Sequence, residues 1–234
     1  MEDNLITWQG YEWWTRERWG RVHHEKPHWW YDPSVVNIDS KGNLHLSTHK
    51  NPKTVDGIAS TIGVGLVSCT TKFGHGTFTI EAKLPRGANL WPAFWMWSWD
   101  TWPPEIDVFE AYSDHKGSYF KLDWSNPIGF WNVQTNLHYT DTTNKVIGPE
   151  THWMGIKNPT RHFCKYSVTW LPDRVEYWFN DRMVRCITDP YIINQLNKTK
   201  MNVVINNGVT ADVDLTNPPV SNFIIQSFTY TPAK

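Results

Sequence analysis

Three carboxylates fall within six residues of an otherwise apolar stretch: Glu105, Asp107 and Glu110 in "PPEIDVFEAY", residues 103–112. Acids crowded this closely cannot all ionise cheaply, so at least one keeps its proton to a higher pH than a free carboxylate does. A neutral carboxylic acid beside an ionised carboxylate is the pair that retaining hydrolysis of a glycosidic bond requires. One group acts as nucleophile, the other as acid and then as base. The same residues would also serve as calcium ligands or as a solvated acidic edge, and spacing alone does not choose among these.

The elements that must position the acids can be read from the same residues. Ile106, Val108 and Phe109 favour a strand. Residues two apart share a face, which unites Glu105 with Asp107, whereas Glu110 would face the other side of a regular strand. One extra residue in a β-bulge, most simply at Val108 or Phe109, returns Glu110 to the face of the other two.

Two flanking segments are suited to line such a face. "WPAFWMWSW" sets Trp91, Trp95, Trp97 and Trp99 on one side of a strand, as rigid amphipathic rings that match the C–H faces of sugars. One or two of these are expected in a cleft and the rest in the core. "WNVQTNLHY" alternates Val133, Thr135, Leu137 and Tyr139 with Asn132, Gln134, Asn136 and His138, giving one face made of hydrogen-bonding groups. That face suits a polyhydroxylated ligand, or simply water, and His138 could equally be a structural histidine.

Composition bounds the rest. The 234 residues show no composition break, linker or repeat, so a single domain spanning residues 1–234 is expected. With a net charge of -1 and no Lys/Arg block, neither nucleic acid nor an acidic membrane is indicated as a partner. No signal-like start or membrane-length apolar run is present. Three cysteines, an odd number, point to free, half-buried thiols. Period-two alternation with frequent turn signals predicts an all-β sandwich or jelly roll, with "DPYIINQLNK" as the one short helix. No metal-spaced Cys/His cluster and no phosphate-binding Gly loop appear.

Several blocks together resemble glycoside hydrolase family 16, the laminarinase-like enzymes. "EIDVFE" is similar to the bulged form of the family signature, E-x-D-x-x-E. "FGHGTFTIEAKLPRGANLWPAFWMW", "YSVTWLPDRVEYWFNDRMV" and "MNVVINNGV" resemble family tracts and follow in the family's order, from about residue 58 to 210. The resemblance implies a β-jelly-roll sandwich of two antiparallel sheets around an open substrate cleft. It also implies retaining endo-hydrolysis of a β-linked polysaccharide, with Glu105 as nucleophile, Asp107 tuning it and Glu110 as acid/base. Trp91, Trp95, Trp102, Gln134, Asn136, His138 and Asn206 become the expected substrate contacts.

No cofactor is required by this resemblance; a structural calcium ion is compatible with it, though no Asp-rich loop argues for one. A monomer acting outside the cytoplasm, whether secreted, periplasmic or cell-surface, fits a polysaccharide or oligosaccharide partner. The chain departs from the family in its opening, "YEWWTRERWGRVHHEKPHWWYDPSVVNID", and in Pro103 and Pro104 before the signature. Those departures leave the substrate between a β-1,3-glucan and a β-galactan of agar, porphyran or carrageenan type. Arg16, Arg18, Arg21 and Lys26 would be the cations available to a sulfated one. A transglycosylase or a non-catalytic lectin on the same scaffold are the alternative readings.

Overall fold

Period-two alternation along the chain becomes β-strand almost throughout. The structure is a computed structural model that describes residues 5–23, 26, 28–123, 126–143, 146–147, 151–153 and 157–234. In chain order the first strands are β1 (Leu5–Trp8), β2 (Tyr11–Trp14), β3 (Trp29–Tyr31), β4 (Val36–Ile38), β5 (Leu44–Val55), β6 (Ile58–Val64) and β7 (Leu66–Cys69). Next come β8 (Gly76–Lys83), β9 (Leu90–Ser98), β10 (Thr101–Ala111), β11 (Phe120–Asp123), β12 (Asn126–Thr140), β13 (Val146–Ile147) and β14 (Thr151–Trp153). The last are β15 (Cys164–Trp170), β16 (Val175–Phe179), β17 (Arg182–Ile187), the helix α1 (Pro190–Leu196), β18 (Asn202–Val209) and β19 (Ser221–Pro232).

Among the described residues the strands form two sheets. The ten-stranded sheet runs β1-β2-β7-β18-β9-β10-β12-β11, with β13 and β14 also on β12. The nine-stranded sheet runs β17-β16-β15-β8-β19-β5-β6-β3, with β4 on β5. Pairing is antiparallel except where β3 lies parallel to β6. The result is the two-sheet β-jelly-roll sandwich expected from the sequence.

The sheets face one another across a core of alternate residues. Leu44, Leu46, Phe78 and Ile80 come from the nine-stranded sheet and meet Phe94, Met96, Ile106, Phe109, Val203 and Ile205 from the other. Each such side chain contributes roughly 1.5–3 kcal/mol by leaving water. Val204, between Val203 and Ile205, points the opposite way, into a second apolar cluster with Trp29, Tyr31, Leu66 and Trp97. The N-terminal segment thus supplies β1 and β2 to one sheet and β3 to the other, and its aromatics cover part of the first sheet's outer face.

Local chemistry sets the ends of elements as the sequence suggests. Asn180 and Asp181 carry the positive φ angles, 47° and 64°, that a two-residue hairpin turn between β16 and β17 demands. In α1, Asp189 caps the first turn by accepting from the Tyr191 N–H at 2.8 Å, and Pro190 occupies the start. Gln195 of α1 then clamps the end of β12 by exchanging two hydrogen bonds with the Thr140 backbone. The thiols differ from the half-buried expectation: Cys69 and Cys164 are fully buried on apolar faces and Cys186 is exposed, all three unpaired.

Candidate active site

The bulge required by the spacing of the three acids is present. Asp107 pairs with Trp95 of β9 and Phe109 with Phe94, leaving Val108 as the extra residue. Val108 and Phe109 are therefore both turned into the core, where both are fully buried. Glu110 consequently returns to the face of Glu105 and Asp107, opposite Gln134 on β12. A second irregularity lies just before. Between Thr101 and Glu105 the ladder to β9 is interrupted, where Pro103 and Pro104 have no N–H to donate. The residues set out of register carry Trp102, half exposed, whose indole N–H donates to Glu105 Oε2 at 2.7 Å.

All three carboxylates open onto one cleft of about 550 Å³, a volume typical of ligand sites. His138 on β12 sits opposite Glu105, with Nε2 3.3 Å from Asp107 Oδ2 and 3.7 Å from Glu105 Oε1. Burial first, then the adjacent Asp107 charge, hold the Glu105 carboxyl well above the usual carboxylate range, opposed by His138 and the Trp102 N–H. Glu110 Oε1 accepts from the Trp91 indole N–H at 3.0 Å and from the Tyr112 hydroxyl at 2.8 Å. Two carboxylates in different hydrogen-bonded surroundings can take different protonation states, as acid/base chemistry requires.

Glu105, Asp107 and His138 each offer an atom within 4.8 Å of the others and could hold a metal ion. Among the described residues this is the one group of three such ligands, and its imidazole makes it a poor match for oxygen-seeking calcium.

Of the residues expected to touch substrate, Trp91, Trp95, Trp102, Asn136, His138 and Asn206 line the cleft. Their roles there are partly mutual. The Trp95 indole donates to Asn206 Oδ1 at 2.8 Å, and the Trp91 ring packs against Tyr112 beneath the Lys26 ammonium. Gln134 does not reach the cleft: it is on the correct face of β12 but is covered, at 3 % exposure. Trp99 also leaves the row, stacking on Trp14 at 4.8 Å.

A family model, Glycosyl hydrolases family 16, matches residues 23–220. The chain belongs to glycosyl hydrolase family 16. Among curated relatives, the endo-1,3-1,4-beta-glycanase EglC of Rhizobium meliloti (strain 1021) is 24% identical over 191 residues, covering 76% of this chain and 37% of the relative. A glucan endo-1,3-beta-glucosidase of Cryptopygus antarcticus is 28% identical over 123 residues, covering 36% of this chain and 44% of the relative. The chain thus spans well under half the length of these relatives. Among solved structures, the laminarinase catalytic domain from Thermotoga maritima MSB8 superposes with a TM-score of 0.69 at 17% identity, over 88% of this chain and 84% of that one. A structure reported with endo-acting O-glycanases of the human gut microbiota that initiate mucin breakdown gives 0.73 at 17%, over 98% and 87%. The chain shares the jelly-roll fold of these structures, and among its described residues no helix is long and apolar enough to cross a membrane.

This family member also builds its cleft from residues that sequence reasoning missed. Three of the Trp91–Trp99 row line it where one or two were expected, Trp91, Trp95 and Trp97, and the N-terminal segment adds Trp19 and Trp29 to these and to the expected Trp102. Tyr112 was within reach of the strand period, two residues after Glu110. Glu17 had no visible signal: it reads as one charge in "TRERWG", yet it is fully buried. Burial pushes the Glu17 carboxyl up to about 8, the Arg18 N–H opposing and the Glu105 charge adding. The Trp97 N–H and Ser68 hydroxyl favour its ionised form from nearby, yet neither closes a hydrogen bond to it, and its Oε1 has no hydrogen-bond partner.

Proposed function

We propose that the protein is a retaining endo-glycosidase of a β-linked polysaccharide, with Glu105 as nucleophile, Asp107 as the group that tunes it and Glu110 as acid/base. The observation that carries this reading is the Val108 bulge, which turns all three acids onto one aromatic-lined cleft. In the first step ionised Glu105 attacks the anomeric carbon while Glu110 gives its proton to the departing glycosidic oxygen. Glu110, now a carboxylate held by Trp91 and Tyr112, takes a proton from water, which attacks the same carbon and frees Glu105. Two inversions leave the anomeric configuration unchanged.

For the substrate we infer a β-1,3-glucan or a β-galactan, the former supported by the relatives named above. The reading extends to a monomeric single domain working outside the cytoplasm, where such polymers are met. The test is reducing-end release from laminarin, lichenan, agarose, porphyran, carrageenan and mucin-type glycans, followed by proton NMR of the first-formed anomer. Glu105→Gln and Glu110→Gln each lose at least ~10³-fold in rate on the cleaved polymer while still binding it. An inverted first product, or a Glu105→Gln variant that turns over normally, removes the proposal.

A further inference from the structure

The four cations of the N-terminal segment have different fates in the structure. Arg16 donates to the Glu17 carbonyl at 3.0 Å and lies over the Trp14 ring. Arg18 bonds the Trp99 carbonyl and faces Asp100. Arg21 is spent on the carbonyls of Thr15 and Tyr31. Lys26 alone of the four lines the cleft. It is fixed there by its backbone, donating to the His23 carbonyl at 3.0 Å and accepting from the Trp29 N–H at 3.3 Å. Its ammonium stands 5.3 Å from the centre of the Trp91 ring, the indole that donates to Glu110.

Among the described residues no carboxylate forms an ion pair with Lys26, although three acids lie in the same cleft. The cation–π contact takes none of its three N–H donors. A neutral glycan gives such a group only hydroxyls. A substituent anion gives it a charge-assisted hydrogen bond in a partly desolvated site. Placement also matters, since an anion elsewhere in the cleft would meet Glu105 and Asp107 directly, with only two histidines to offset them.

We propose that Lys26 is an anion-binding specificity element of the cleft, and that the preferred substrate carries a sulfate ester or carboxylate on the sugar seated beside Trp91. This rests on the glycosidase reading above, and it selects the acidic members of the candidate polysaccharides over the neutral ones.

Two matched substrate pairs test it: porphyran against its desulfated form, and laminarin oxidised to carboxylate at C6 against unmodified laminarin. For each pair kcat/KM is measured with wild type, Lys26→Gln and Lys26→Arg, and affinity is measured with the Glu105→Gln variant with and without Lys26→Gln. The expected result is about a tenfold preference for the anionic member of at least one pair. That preference shrinks with added salt, falls below about twofold in Lys26→Gln and persists in Lys26→Arg. Loss on desulfation identifies the sulfate, and loss in the laminarin pair identifies the carboxylate. Wild type treating both pairs alike in turnover and affinity, or a preference that survives Lys26→Gln, overturns the inference. Failure of the glycosidase reading looks different, because the wild type would then cleave no member of either pair, or Glu105→Gln would leave turnover intact, while the affinity comparison still reports on Lys26.

Discussion

Glu105 keeps its proton through burial first and the Asp107 charge second, so the pH at which the proposed nucleophile becomes available is partly set by its neighbour. In Asp107→Asn the acid limb of the kcat/KM profile moves to lower pH, because the charge that disfavours ionised Glu105 is gone while burial remains. An unmoved limb would detach Asp107 from the ionisation of Glu105. Glu17 makes a stability prediction of definite sign. Its carboxyl titrates at about 8 in the folded chain, against the 4.5 of an unburied glutamic acid. The folded state therefore holds a proton that the unfolded state has lost between those values. The contribution is fully present below pH 4.5, declines through the window and is gone above pH 8. Glu17→Gln, whose amide does not titrate, matches wild type near pH 5 and exceeds it at pH 9, by on the order of 4 kcal/mol at most. Urea unfolding at the two pH values measures the difference.

A single residue inside β10 decides where Glu110 points. Deleting Val108 leaves the acids at alternate positions of a regular strand, still on one face, and removes one buried aliphatic side chain worth roughly 1.5–3 kcal/mol. Inserting one alanine after Val108 makes the separation from Glu105 even, six residues, so the last acid keeps the cleft face of a regular strand but sits two residues, roughly 6–7 Å, further along it. The deletion variant folds with lowered stability and keeps measurable turnover, whereas the insertion variant folds but loses activity because its acids stand too far apart, as circular dichroism and assay would show. The bulge is legible in the sequence because a five-residue separation of two acids has one economical way to share a face. Gln134 shows the limit of that logic, since alternation fixes which face a residue takes but not what covers it. The aromatic wall is less legible still. β3 pairs with β6, far along the chain and in the opposite sheet from β1 and β2, so nothing local announces that Trp29 and Tyr31 will face the cleft.

At the scale of the whole molecule, stability depends on the nine-stranded sheet being complete. β19 lies between β5 and β8 and buries Phe223, Ile225 and Phe228 in the core. A chain ending at residue 220, where the family match stops, loses those three anchors and divides the sheet. At roughly 1.5–3 kcal/mol each the loss is comparable with the ~5–15 kcal/mol stability of a typical domain. The expected outcome is an unfolded or aggregated product by size-exclusion chromatography and near-ultraviolet circular dichroism; a soluble, cooperatively unfolding product would contradict the assignment. The same placement bears on biosynthesis. The strand that joins the two halves of the sheet leaves the ribosome after all its partners, so β5 and β8 wait with open, hydrogen-bond-hungry edges while the remaining strands are made. The nascent chain, more than the finished protein, is then the form whose edges are open to pairing with another copy.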